Sequence, residues 1–336
     1  MLMVPTLVPV ALVTAGTAEL GLAALPAALG AAGKAAAVVI DPDSGDLLAS
    51  ASYPWPMSSA TQGVDTTSDA LMDRARYGLY PPGSTFKLVT ASAALRQEVS
   101  PRDTTFMCQR LPDGRVGARI SGWNRPVRDD VLDTHPHGTI NMHEGFVHSC
   151  NAYFAQLAIR LGPRPLLDTA NRLGISLTPS SDASGRVRDT LPQVGYGQAD
   201  VVATPLRMAR AAAAIASNGV LRETRWDGEG SEDSPTDQFL GADAARLLAG
   251  YMRDVVLSGT GHALRSNPWR MAGKTGTAEV SGKPSHSWFV GFAPFGAATK
   301  RIAFAVLIEN AGYGAASAAP AAGEIVNAAA LAGLIK

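Results

Sequence analysis

The sequence predicts an α+β fold in which one sheet is assembled from the two ends of the chain around an inserted helical lobe. Three observations predict it. Two apolar runs around a turn stand near the start, three strand-like runs stand near the end, and the segments between them carry apolar residues at helical spacing. With 336 residues, 46% hydrophobic and 17% charged, the chain can bury a full core as one large domain or two smaller ones, which excludes a disordered protein.

Taken in order, residues 1 to 18 carry no charge, a pattern shared by signal peptides and membrane anchors. No Lys or Arg precedes that run, and Pro5 and Pro9 interrupt it, which favours a strand leading into a helix of a folded domain. Glu19 to Ala32 is Ala-rich and helix-like, and Lys34 to Pro54 reads as a β-hairpin around the turn DPDSGD. Helical spacing runs from Ser84 to Leu95, and again from Asn151 to Leu161, where Gly162 stops it. A third helix is expected over Thr204 to Ser217, with Pro205 in its first turn and Gly219 just beyond its end. Arg222 to Gln238 is polar and rich in turn residues, as expected of a surface excursion. Arg270 to Val280, Ser285 to Phe292 and Arg301 to Glu309 then read as consecutive strands, and Ala321 to Ile335 as a closing helix. No internal repeat is evident.

Lys+Arg and Asp+Glu both number 29, and no basic run stands out, so a nucleic-acid partner is not expected. Two cysteines, Cys108 and Cys150, exclude a disulfide scaffold and fall short of a zinc site unless histidines help. His135, His137, His143 and His148 lack the helical pairing or Cys-x-x-Cys of a metal motif and read as a polar loop, so neither metal nor cofactor is expected.

The stretch LYPPGSTFKLVTASAAL, Leu79 to Leu95, carries the chemistry that needs explaining. On a helix starting at Ser84, Lys87 lies on the same face. Burial or a nearby cation lowers a lysine's pKa, and the neutral amine can then take the proton that makes serine a nucleophile. An N-cap serine followed by an exposed lysine is the plainer account of an isolated S-x-x-K. Two further motifs change the balance. Ser149-Cys150-Asn151 precedes a helix and Lys274-Thr275-Gly276-Thr277 lies in an expected strand, giving S-x-x-K, S-x-N and K-T-G in chain order. Each alone is ordinary, the first as an N-cap and the second as a strand whose glycine permits close backbone approach.

From about Lys34 to its end, the chain resembles the transpeptidase domain of the monofunctional, class B-like penicillin-binding proteins, of the penicilloyl-serine transferase superfamily. The likeness extends over Asp73-Arg74-Ala75, LYPPGSTFK, SCNAYFAQLA, GYGQADVVATPLRMA (Gly195 to Ala209), the Gly-Thr-Gly at 259 to 261, AGKTGTAE (Ala272 to Glu279) and HSWFVGFAP (His286 to Pro294). It implies a mainly antiparallel five-stranded sheet flanked by helices, with an all-helical lobe inserted. Residues 35–336 would be the transpeptidase domain and 1–34 a remnant linker, pedestal or membrane-targeting segment. Such proteins usually carry a membrane anchor and an elongated module before this domain, and too few residues precede Lys34 for both.

The resemblance implies roles residue by residue. Ser84 attacks the carbonyl between two D-alanines of a peptidoglycan stem peptide, with Lys87 as its base. Ser149 passes a proton to the leaving amine, Asn151 holds Lys87 and the substrate amide, and Lys274 supplies positive charge near Ser149. Thr275 and Thr277 bind the substrate carboxylate, and the N–H groups of Ser84 and Thr277 form the oxyanion hole. Gly276 leaves the strand edge open for substrate to add as a strand. Tyr196, Gln198, Trp288 and Phe289 read as structural.

The implied partners are stem peptides, lipid-linked precursors, proteins of a cell-wall synthesis complex and β-lactam antibiotics as covalent inhibitors. The implied location is outside the cytoplasm at the plasma membrane, in division or elongation. Three rivals share the motifs. A D,D-carboxypeptidase uses the same site with water as acceptor. The serine β-lactamases with S-T-F-K are opposed by Asn151 and by the Pro-Pro-Gly before Ser84. A non-turnover β-lactam or muropeptide sensor would need a signalling segment. Cys108 and Cys150 are open to two readings, a disulfide pinning the S-x-N loop or two separate buried thiols.

Overall fold

The computed structural model describes residues 33–54, 72–225 and 235–336. The readings of residues 1–18 and of Glu19 to Ala32, and part of the Arg222 to Gln238 excursion, lie outside the described residues. In chain order the elements are β1 (Ala35–Ile40), β2 (Leu47–Tyr53), a 3-10 turn (Gly83–Phe86), α1 (Lys87–Arg96), β3 (Phe106–Arg110), β4 (Val116–Ala118), β5 (Val127–Arg128) and β6 (Gly138–Ile140). Helices α2 (Met142–Val147), α3 (Asn151–Leu161), α4 (Pro163–Arg172), α5 (Ala183–Asp189), α6 (Leu191–Val194) and α7 (Pro205–Ala216) follow. The chain closes with β7 (Val220–Arg222), β8 (Thr236–Gln238), α8 (Ala242–Leu257), β9 (Ala272–Val280), β10 (Lys283–Ala293), β11 (Ile302–Ile308) and α9 (Ala318–Leu331).

The main sheet has the order β2-β1-β11-β10-β9 with every pairing antiparallel. The first hairpin thus pairs with strands near the far end of the chain, as the two-ended pattern requires. β1 (AAAVVI) and β11 (IAFAVLI) are buried at every position because helices cover both faces of the sheet. Ala35, Ala37, Val39, Phe304 and Val306 pack with Ile325 and Val326 of α9, while Ala36, Val38, Ile40, Ala305 and Leu307 share the other core with Met208 and Ala212 of α7. Burying a large apolar side chain such as Phe304 contributes about 1.5–3 kcal/mol, so the two faces together supply the stability on which a site at the sheet edge rests.

Residues 83–222 make the helical insertion, and within it β5-β4-β3-β6 form a small four-stranded sheet. Its strands are two to five residues long, too short for alternation to register in the sequence. The helix termini follow the sequence signals. Thr204 caps α7 with Pro205 behind it, and Gly162 ends α3 at φ 76°. Among the described residues no helix is long and apolar enough to cross a membrane.

Two buried links fix the segment before Ser84. Arg74, fully buried, pairs with Glu309 just past β11 at 3.0 Å, and the Tyr80 hydroxyl donates to the same carboxylate at 2.7 Å. Tyr80 and Ala203 exchange two backbone hydrogen bonds, 3.1 and 2.9 Å. The loop leading to Ser84 is thereby tied to the sheet and to the entry of α7.

Candidate active site

Ser84 sits in the 3-10 turn, and the α-helix starts only at Lys87. The turn is capped at Pro82 and the helix at Phe86, neither with a side-chain hydrogen bond, so Ser84 is not an N-cap. Three neighbours hold the turn. Gly83, at φ 52°, donates its N–H to the carbonyl of Gly197 at 3.0 Å, Trp288 Nε1 donates to the Pro81 carbonyl at 3.0 Å, and β9 lies directly against it. A Cβ at Gly276 would stand 2.7 Å from Thr85 Cγ2 and 2.9 Å from the Pro82 carbonyl. The glycine is therefore required by the Ser84 turn itself, a different reason from the open strand edge expected from the sequence. Ser84 is half-buried while Gly83, Thr85 and Phe86 are buried.

Lys87 is fully buried. Its Nζ donates to Asn151 Oδ1 at 2.8 Å, to Ser149 Oγ at 3.2 Å and to the Ser149 carbonyl. The Ser84–Lys87 bond invited by their spacing is not among the hydrogen bonds of the described residues. Ser149 occupies a tight junction between α2 and α3 with φ 60°. Such a conformation in a non-glycine residue costs on the order of 1–3 kcal/mol, so the surroundings must hold it. The cap of α3 is Cys150, whose Sγ accepts from the Tyr153 N–H at 3.3 Å, which leaves the Ser149 side chain directed elsewhere.

Lys274, also fully buried, donates from Nζ to Ser149 Oγ at 2.8 Å and to the Thr275 carbonyl at 3.2 Å. One hydroxyl thus faces two amines. Burial lowers Lys87 to about 8 against the opposing pull of Asp129 and other nearby acids, and burial followed by the Lys87 charge lowers Lys274 well below the usual lysine range. Aromatic rings flank both amines, Phe154 under Lys87 at 5.6 Å and Phe146 under Lys274 at 5.9 Å. The arrangement can shuttle a proton between a neutral lysine and the Ser149 hydroxyl next to the Ser84 turn.

Along β9, Thr275 is buried and its hydroxyl lies 2.6 Å from that of Thr260, while Thr277 Oγ1 accepts from the Gly314 N–H at 3.3 Å. Thr260 is a residue that sequence reasoning did not assign a part, although the Gly-Thr-Gly around it was a visible signal. All eight residues singled out in the sequence, Ser84, Lys87, Ser149, Asn151, Lys274, Thr275, Gly276 and Thr277, meet where the 3-10 turn, the α2–α3 junction and β9 converge.

A second cluster lies under the S-x-N segment. Cys108 and Cys150 are both buried and not bonded to each other. Both thiols donate to Asp129 Oδ2, at 3.2 and 3.1 Å, and His137 Nδ1 stands 3.3 Å from the same oxygen and 3.4 Å from Cys108 Sγ. Asp129 Oδ1 accepts from the Ala152 N–H at 2.9 Å, in the first turn of α3. One donor atom from each of the four residues falls within 4.8 Å of all the others. Two sulfurs, an imidazole and a carboxylate are the ligand types of tetrahedral zinc. The sequence reading, which left the histidines in a polar loop, missed His137 because its partners come from three other segments.

The hydrogen bond that His137 gives the Asp129 carboxylate, and then its contact with Cys108, raise His137 to about 10. Burial pushes Cys150 upward. Asp129 is pushed up by burial but brought down to about 2 by His137, Cys150 and the Ala152 N–H.

The profile described as the penicillin binding protein transpeptidase domain matches residues 35–327. The peptidoglycan D,D-transpeptidase PbpA of Mycobacterium tuberculosis is 29% identical over 88% of this chain and 67% of its own length. MrdA of Acinetobacter baumannii, a peptidoglycan D,D-transpeptidase, is 29% identical over 85% of this chain and 49% of its own. The chain thus spans about two thirds of the first relative and about half of the second. Among solved structures, the ceftriaxone acyl-enzyme complex of penicillin-binding protein A from M. tuberculosis superposes with a TM-score of 0.74 and 26% identity, over 93% of this chain and 78% of that one. With the family's motifs gathered at one junction and its profile running through nearly the whole described fold, this chain belongs to the penicillin-binding protein transpeptidase family.

Proposed function

We propose that the protein is a serine D,D-transpeptidase that cross-links peptidoglycan stem peptides and is acylated by penicillin at Ser84. In this reading Ser84 Oγ attacks the carbonyl between the two D-alanines, and its proton passes to neutral Lys87. Collapse of the tetrahedral intermediate breaks the peptide bond, and the departing D-alanine amine takes a proton through Ser149, the hydroxyl that both lysines reach. An acceptor amine then attacks the ester and restores Ser84. Asn151 holds Lys87 in place, Lys274 adds positive charge beside Ser149, and Thr275 and Thr277 take the substrate carboxylate. The N–H groups of Ser84 and Thr277 receive the oxyanion, and the near-contact of the turn with β9 at Gly83 and Thr277 supports that pairing.

The observation that carries this reading is the convergence of Lys87 and Lys274 on Ser149 Oγ, at 3.2 and 2.8 Å, beside the Ser84 turn. Asn151 Oδ1 at 2.8 Å from Lys87 supports an unmodified amine there and speaks against the β-lactamase rival. Residues 35–336 are the catalytic unit in this proposal, preceded by the 1–34 segment. It works outside the cytoplasm at the plasma membrane, on lipid-linked precursors and with proteins of a cell-wall synthesis complex.

Fluorescent penicillin labelling of wild-type protein and of Ser84→Ala tests it. Labelling lost in Ser84→Ala, a bound label lasting many minutes, and no turnover of a chromogenic cephalosporin are expected. Rapid multiple turnover of that cephalosporin would overturn it in favour of a β-lactamase. A D-Ala-D-Ala peptide offered with an acceptor amine separates transpeptidase from carboxypeptidase by whether the product carries the amine.

A further inference from the structure

We infer that Arg115 and Asp130, the latter held by Tyr313, form the acceptor subsite of the transpeptidase proposed above, on which reading this rests. The subsite takes an amine whose carbon also bears a carboxylate, the zwitterionic head of an amino acid, in preference to a lone primary amine.

A circuit of contacts rings the opening of the site. Lys87 reaches Asn151 Oδ1 at 2.8 Å, and Asn151 Nδ2 donates to the Arg128 carbonyl at 3.1 Å, at the end of β5. Two residues on, a span of at most about 7 Å, Asp130 Oδ1 accepts from the Tyr313 hydroxyl at 3.1 Å. Tyr313 belongs to the loop between β11 and α9, and the next residue, Gly314, donates to Thr277 Oγ1 on β9 at 3.3 Å. Lys274 and Ser149 close the circuit. The segment after β5 is thus one wall of the opening and the Tyr313 loop faces it.

Two opposite charges stand at this rim with bonding capacity to spare. Asp130 is exposed, and its Oδ1 also accepts from the Leu132 N–H at 2.9 Å, so both partners share one oxygen and Oδ2 has none among the described residues. Arg115, just before β4, donates from Nη2 to the Asp129 carbonyl at 3.1 Å, in the peptide group that leads into Asp130. Among the described residues its guanidinium pairs with no carboxylate, which leaves a fork of N–H donors for one. Burial and then Asp130 raise the pKa of the Tyr313 hydroxyl while Arg115 opposes the rise, so both charges act at one place.

A lone ammonium would need Asp130 and be repelled by the arginine beside it. A ligand with a carboxylate next to its amine satisfies both. Two-point binding also fixes the nitrogen relative to the ester it must attack. Val131 and Leu132, exposed apolar residues that follow Asp130, offer a surface to the aliphatic part of such a ligand. At the acyl-enzyme the bound ammonium loses one proton to water. The neutral nitrogen then bonds to the ester carbon, the bond from that carbon to Ser84 Oγ breaks, and the second proton passes by way of Lys87 to Ser84 Oγ, leaving an amide and free enzyme.

The test uses the purified full chain, first labelled with fluorescent penicillin to report on Ser84. A D-Ala-D-Ala peptide is then offered with racemic norleucine and pentylamine together, the same aliphatic chain with and without the carboxylate, and the two amide products are quantified by mass spectrometry. Both products arise from one acyl-enzyme, so their ratio does not depend on the rate of acylation. Arg115→Gln should shift the ratio toward pentylamine by roughly tenfold, about the worth of one charged hydrogen bond, and Arg115→Lys should recover part of the shift. Asp130→Asn should lower both amides relative to hydrolysed peptide, and Tyr313→Phe should do so to a smaller extent. Thermal melting followed by circular dichroism checks that each variant is folded. A ratio unmoved by both Arg115 variants, or amide yields unmoved by Asp130→Asn, would overturn the acceptor subsite and leave the proposed function standing. Wild-type protein that takes the penicillin label yet forms no amide from either amine would overturn the transpeptidase reading and the subsite with it.

Discussion

Lys274 Nζ lies 2.8 Å from Ser149 Oγ although 125 positions separate the two residues in the chain. The edge strand of the sheet thus delivers a buried amine to a hydroxyl presented by the junction of two helices. Lys87 reaches the same oxygen at 3.2 Å. Burial is the physical reason both amines are displaced toward the neutral form, and at Lys274 the charge of Lys87 adds to it.

The first prediction concerns pH. With Lys87 near 8, roughly a tenth of the protein holds it neutral at pH 7, so acylation by penicillin should rise with pH, reach half its maximum around pH 8 and level off about one unit above that. The folded state binds fewer protons than the unfolded chain between about 8 and 10.5, so stability from this group grows as pH rises through that window. Lys87→Met should remove that slope from the melting temperature. Stopped-flow acylation that is flat from about pH 6 to 9 would count against Lys87 as the base.

Asn151 gives a second. Its Oδ1 accepts from Lys87 at 2.8 Å and its Nδ2 donates to the Arg128 carbonyl at 3.1 Å, so the amide bridges the amine and the β5 strand. Asn151→Ala should slow acylation on the order of a hundredfold. Asn151→Asp puts a carboxylate beside the amine, raises its pKa and should move the plateau of the pH profile upward. A merely structural Asn151 would alter the melting temperature and leave the profile where it was.

Two glycines on different elements should respond with opposite signs. Gly276→Ala drives a methyl toward Thr85 and the Pro82 carbonyl and should cost about 1–3 kcal/mol while slowing acylation, because the displaced group is the Ser84 turn. Gly250, in the middle of α8, has nothing within 4 Å of an added Cβ. Gly250→Ala should stabilise by about 0.5–1 kcal/mol with acylation unchanged. Chemical denaturation of both variants checks the signs, and equal destabilisation by the two would contradict the packing described.

Much of the frame was legible because its signals are local. The DPDSGD turn, Pro205 behind Thr204, and Gly162 after Leu161 each report a boundary through their own backbone preferences. The three motifs are local signals too, and the fold brings them to one junction. What the sequence hid was set by partners distant in the chain. Ser84 stands in a 3-10 turn because Gly197, Trp288 and Gly276 hold it there, and Cys150 rather than Ser149 caps α3 because Ser149 is held at φ 60°. The cluster around Asp129 joins residues 21 and 29 apart in the chain, spacings that match no periodicity of helix or strand.

The last prediction separates two tasks on β9. Thr275 is buried, and its hydroxyl shares one hydrogen with Thr260 across 2.6 Å. If Thr260 donates, the Thr275 hydrogen is free to point at an anion; if Thr275 donates, it offers a carboxylate only lone pairs. Carboxylate binding by Thr275 therefore requires Thr260 as the donor, which makes Thr260 a positioning residue. It is well placed for this, since the lack of a Cβ at Gly259 lets that turn lie against the Val147 carbonyl at the end of α2. Thr260→Val keeps the shape and removes the hydroxyl, so Thr275 loses the constraint that Thr260 places on its hydrogen direction. Loss of about one hydrogen bond's worth of binding, 1–1.5 kcal/mol, corresponds to roughly a tenfold weaker first encounter with penicillin. The acylation rate at saturating penicillin should change little, because Lys87, Ser149 and Ser84 are untouched, and Thr260→Ser should restore the wild-type value. Acylation followed across a range of penicillin concentrations distinguishes the two constants. An unchanged encounter constant in Thr260→Val would mean that Thr275 does not hold the carboxylate and that Thr277 carries it without help.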